Sequence, residues 1–133
     1  MNKYFLPLLF LLSILGLISC TPNPGIGGDA AIKGSLHANH YNSTFTEYIS
    51  DYPGADTYVY LIFGNDISYG KRIKTTYNGQ FEFQYLNKGD YTVYVYSLDS
   101  TLTAASGSVA KTYPVTITDR KQTIDLGTIE VFQ

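Results

Sequence analysis

A chain with one cysteine cannot close a disulfide on itself, and Cys20 is the only cysteine among these 133 residues. The fold must hold without covalent staples, which a domain of about 100 residues achieves by burying its own core. Charge is scarce as well: Asp, Glu, Lys and Arg make up 15% of the chain, against about 25% in ordinary globular proteins. Nine basic side chains face eleven acidic ones, a balance that excludes the positive footprint of a nucleic-acid binder. Two histidines and no free thiol pair leave little material for a metal site or a nucleophile. No Ser-His-Asp arrangement is legible, and no cofactor motif. Helical periodicity and internal repeats are absent too. The longest apolar run, from Tyr4 to Ile18, falls short of the roughly 18 residues that a spanning helix needs.

That run follows Lys3 and ends in Leu17-Ile18-Ser19-Cys20, which reads as a secretory leader rather than fold material. The four residues resemble the lipobox of bacterial lipoproteins. The resemblance implies cleavage before Cys20, acylation of that residue, and a cell-envelope protein held by lipid, with the outer membrane as the expected site. Lipidation explains both the presence and the solitude of the cysteine. Residues 1–19 are thus expected as signal peptide and 20–29 as lipidated Cys and flexible tether, since Thr21 to Gly28 is rich in Pro and Gly. A single domain is expected over 30–133.

What the chain has in quantity is tyrosine, 13 of them, with seven phenylalanines. These residues suit pleated, half-buried surfaces. The organising stretch is Asn78 to Ser97. Phe81 and Phe83 fall on one face of a strand, and Tyr91, Val93 and Val95 on one face of the next. Asn78-Gly79 supplies a tight turn before the first, and Asn87-Lys88-Gly89-Asp90 the turn between them. Further strands are expected at 30–38, 57–63, 69–77, 109–118 and 122–132, the last with a bulge at Gly127, where Ile124 and Leu126 fall out of phase with Ile129 and Val131. Pro114 confines its strand to an edge or a bulge. The segment 39–56 reads as a long irregular loop, with a short strand around 43–49 as the alternative.

The pattern N-G-x-F-x-F-x-x-L-x-x-G-x-Y-x-V-x-V, here Asn78 to Val95, is similar to the central signature of carboxypeptidase regulatory-like domains. Ile32 to Leu36 resembles that family's first strand, and Pro53-Gly54-Ala55 its lead into the second. The resemblance implies an all-β, seven-stranded Greek-key β-sandwich of the transthyretin-like type, used as a spacer or binding module and carrying no catalytic residues. In a related sandwich family of surface pilins, a Lys and an Asn or Asp form an isopeptide crosslink aided by a Glu. Lys33, Asp125 and Glu82 lie in the corresponding strands, but alternation turns all three away from the core.

Alternation also turns Tyr58, Tyr60, Tyr94 and Tyr96 outward, and the family resemblance makes their strands neighbours. Two readings follow: a cross-strand ladder that stabilises the sheet, or a binding platform for a polysaccharide or an envelope protein, with no acidic or basic residue among the rings. The corresponding functions are a non-catalytic binding module and a purely structural spacer or assembly subunit. His37 and His40 read as solvated residues rather than a chelating pair. Asp51, Asp56, Asn65 and Asp66 read as turn formers. Asp99-Ser100-Thr101 resembles a sequence that some Gram-negative secretory systems O-glycosylate at the hydroxyl, here Ser100; the plain-turn reading stands beside it.

Overall fold

Strands with an apolar side chain at every second position bury that face only against a facing layer. In the computed structural model, which describes residues 23–133, the layers are two four-stranded sheets. The eight strands are β1 (Ile26–Tyr41), β2 (Tyr48–Pro53), β3 (Tyr58–Phe63), β4 (Lys71–Lys74), β5 (Gln80–Leu86), β6 (Gly89–Leu98), β7 (Ser108–Ile117) and β8 (Thr123–Phe132). β1 is the spine of the first sheet. β8 runs parallel along one of its edges, while β5 and β2 pair antiparallel with its two halves along the other. The second sheet is antiparallel throughout, in the order β4-β3-β6-β7.

The core lies between them. Ile32, Leu36, Phe83 and Val131 of the first sheet meet Val59, Leu61, Tyr91, Val93 and Val95 of the second, all buried. Two breaks in alternation are resolved by backbone geometry. After Phe83, Tyr85 adopts a left-handed conformation (φ 62°), so Gln84 and Tyr85 both face solvent and Leu86 returns to the core. In β8, Gly127 (φ 70°) sits where the register with β1 skips a residue between Lys33↔Asp125 and Ser35↔Thr128. That is the expected bulge, and it brings both apolar pairs onto the core. Glycine is also required in the turn before β5: a Cβ on Gly79 would lie 2.4 Å from the Leu36 carbonyl oxygen, whose N–H donates to the Gly79 carbonyl at 2.8 Å.

Four expectations need correction. There are eight strands rather than seven. The extra one, β2, lies in the segment read as an irregular loop and later than the 43–49 alternative, because Asn42 caps a tight turn over 42–47 and pairing resumes only at Tyr48. β1 begins at Ile26, inside the expected tether. There the Tyr91 hydroxyl accepts the Gly25 N–H at 2.9 Å, the Asn87 N–H donates to the Gly25 carbonyl at 2.9 Å, and Pro24 covers Gly89. Finally, β4 is only four residues long. β7, with Pro114, is an edge strand as read.

Candidate binding face

β3 and β6 are antiparallel neighbours with Tyr60 opposite Tyr94. Because Val59, Leu61, Val93 and Val95 point into the core, the alternate residues point out. The four tyrosines thus come together on the outer face of the second sheet. Tyr60 and Tyr94 stack face to face, centroids 4.8 Å apart and planes 8° from parallel, the separation of adjacent strands. Tyr96 meets both edge-on, at 5.8 Å. Tyr58 lies 6.2 Å from Tyr60.

The stack has a consequence for recognition. Tyr60 and Tyr94 cover one ring face each with the other, and both are half-buried. Burial, with the neighbouring phenols Tyr96, Tyr60 and Tyr69 adding to it, pushes the Tyr94 hydroxyl above its ordinary pKa. The inner pair is a ladder that braces the sheet, and the accessible aromatic surface belongs to Tyr96 (53% exposed) and Tyr58 (39%).

Two further residues join this face beside the four expected tyrosines. Tyr69, from the segment leading into β4, packs 5.1 Å from Tyr60 and is 41% exposed. Arg72 stands opposite Tyr60 in the β3–β4 register, its guanidinium 4.5 Å above the Tyr58 ring and 6.0 Å from that of Tyr69. The expectation of a face without charge is corrected accordingly. The signal lay in β4: with Ile73 inward against the core, Arg72 and Lys74 must share the tyrosine face. Lys74 reaches Asp56 at 2.8 Å, and this hydrogen bond raises its pKa.

The opposite outer face, on the first sheet, is polar. Across it run Lys33–Asp125 (3.8 Å), Ser35–Thr128 (3.2 Å), His37–Asp51 (2.8 Å) and Asn39–Glu130 (2.5 Å). Tyr48 also donates to Asp51. The Tyr48 hydroxyl and then His37 hold the Asp51 carboxyl below its usual range. Lys33, Asp125 and Glu82 are neighbours in register, on the solvated side that alternation assigns them. The Lys33–Asp125 pair is about half exposed, whereas amide condensation needs an uncharged amine away from water. His37 thus engages a carboxylate rather than a nucleophile, and His40 turns instead toward the end of the sandwich.

At that end the 39–47 and 99–107 segments and Gln133 line a groove of ≈ 470 Å³ whose walls include Tyr41, Phe45, Leu98 and Leu102. Asp99 builds one wall. Its carboxylate accepts the hydroxyls and N–H groups of Thr101 and Thr103 and the N–H of Ala104. The Thr101 hydroxyl above all, then the Ala104 N–H, holds it far below the ordinary carboxylate range. Ser100, between them, is exposed. The expected leader and the acylation expected at Cys20 lie outside the described residues.

No protein-family model matches this chain, and no curated protein sequence does. Among solved structures it is similar to a Pseudomonas aeruginosa protein provisionally described as carbohydrate-binding, at 15% identity and a TM-score of 0.46, covering 86% of this chain and 93% of that one. It is also similar to a minor pilin of Streptococcus agalactiae, at 18% identity and a TM-score of 0.44, covering 81% of this chain and 46% of the pilin.

Proposed function

We propose that this protein is a non-catalytic binding module of the bacterial cell envelope, a transthyretin-like Greek-key sandwich anchored through lipid on Cys20, that takes a polysaccharide on its tyrosine face. The observation that carries the reading is the composition of that face. A solvated sheet surface ordinarily carries charge and threonine, yet here five contiguous tyrosines cover two strands and a connecting segment, and three of them keep accessible ring area. Tyrosine offers flat apolar area with a hydrogen-bonding tip and loses little side-chain entropy when held. The leader and the Leu17-Ile18-Ser19-Cys20 pattern support the anchor. The fit of Asn78 to Val95 to a turn, a strand and a second strand supports the carboxypeptidase regulatory-like relationship.

The test separates the bracing rings from the accessible ones. Tyr58→Ser combined with Tyr96→Ser removes accessible ring area while sparing the Tyr60–Tyr94 stack. Pull-down on a panel of insoluble and immobilised polysaccharides should lose its signal in this variant, with a melting temperature close to that of the parent. A second reading, a structural spacer in a surface assembly, is favoured by the stack itself, which spends two rings on the sheet. It prevails if the unaltered protein retains no polysaccharide on the panel.

A further inference from the structure

The tyrosine face carries a cation for which the fold supplies no counter-charge. Of the two cations that share this face, Lys74 has a carboxylate within 4 Å; Arg72 has none. Its guanidinium is instead positioned by ring faces, over Tyr58 and beside Tyr69. Ring quadrupoles orient a guanidinium without using its in-plane N–H donors. A planar fork held in this way matches a carboxylate, which accepts two parallel N–H bonds.

The surroundings narrow the ligand further. Beyond Arg72 and the paired Lys74, the outward residues of β3, β6 and β7 include the tyrosines with Thr92, Ser108, Thr112 and Thr116, which outnumber the apolar Ile62, Leu98, Ala110 and Pro114, so most of the face ends in hydroxyl groups. Asp90 stands at the far corner and accepts the Thr116 hydroxyl at 2.7 Å. The centre of a protein–protein interface favours desolvated apolar anchors, whereas here the large outward aliphatic residues of β3 and β6 are Ile62 and, at the end of β6, Leu98. A carpet of hydroxyls with one uncompensated guanidinium fits a partner that is itself rich in hydroxyls and bears carboxylates.

We propose that the polysaccharide taken by this face is acidic, with sugars that carry carboxylates, and that Arg72 reads the carboxylate. The proposal rests on the polysaccharide reading above. Attraction is local rather than long-range, since the whole chain carries a net charge of −2, and it should weaken with salt.

The experiment uses the full chain in detergent, with pairs of polymers that share a backbone and differ in charge: polygalacturonate against its methyl ester, and alginate and hyaluronan against their carboxyl-reduced forms. The unaltered protein should prefer the acidic member of at least one pair by about ten- to a hundredfold, the value of a charged bidentate contact. Arg72→Gln should bring that ratio to about one, and Arg72→Lys should recover only part of it; circular dichroism and melting temperature confirm that both variants fold. Equal binding of acidic and neutral members overturns the acidic proposal and leaves the polysaccharide reading intact. Binding of no polymer overturns both. If poly-glutamate binds with the same dependence on Arg72 while the acidic sugars do not, the occupant is an acidic peptide and the proposal fails.

Discussion

Asp99 shows how one side chain can define a loop. Its two carboxylate oxygens accept from three residues within the next five positions, so the 99–107 segment wraps around a single charge. Replacing it with Asn removes acceptor capacity and charge together, leaving part-buried donors unmatched. Asp99→Asn should accelerate amide exchange at Thr101, Thr103 and Ala104 while leaving β6 and β7 protected. The pH dependence follows from the depressed folded pKa. The contribution is fully present above the unfolded carboxylate value of about 3.9 and is lost as pH falls from there through the lower folded value. Exchange protection in the loop should therefore be flat from neutral pH to about pH 5 and decline only in stronger acid. A decline already near pH 6 would mean that another group holds the loop.

At the scale of strands, the Tyr60–Tyr94 pair is open to a direct measurement. A double-mutant cycle with Tyr60→Ser and Tyr94→Ser should give a coupling of about 0.5–1.5 kcal/mol, the range for aromatic pairs beyond their area burial. Additive effects would mean that the rings merely lie side by side. The outward direction of both rings was legible in advance because β3 and β6 each alternate against one buried face, while the expectation that the strands are neighbours came from the family resemblance. The Gly127 bulge was legible from alternation too, as two alternations out of phase. β2 was not: Tyr48 to Pro53 buries no face, so there was no alternation to read, and main-chain pairing with β1 holds it. The placement of Arg72 and Tyr69 beside the tyrosines was not legible, because it depends on the register of a four-residue strand, a long-range property. The start of β1 escaped notice because Gly27 and Gly28 have no side chains to alternate. What fixes the approach to it is the Tyr91 hydroxyl, contributed by a residue 66 positions away.

For the whole molecule, β1 sets the polarity. Its 16 residues span about 50 Å at ordinary strand rise, from the clamp at Gly25 to the aromatic groove beside Tyr41. A lipid on Cys20 would place the clamp next to the membrane and carry the groove, with Ser100, away from it. Intact mass of protein extracted from its native membrane tests this arrangement. The expected species begins at Cys20 and carries acyl chains; hexose-sized additions that disappear in Ser100→Ala would mark that hydroxyl as modified, and their absence leaves the plain turn. A chain beginning elsewhere with a free thiol removes the anchor, and an acylated chain without sugar removes the modification at Ser100 alone.

The central position of β1 also governs how the domain would respond to a mechanical pull. Tension applied at the amino terminus is directed along a strand bonded on both edges, to β8 on one side and to β5 and β2 on the other. Those bonds lie across the line of force, so they are loaded in shear, side by side, and must fail together. Peeling β4 or β7 from its edge would break bonds singly. The strand that a lipid on Cys20 would pull on is thus the hardest to draw out, and the Tyr91 grip on Gly25 is the first link to slip.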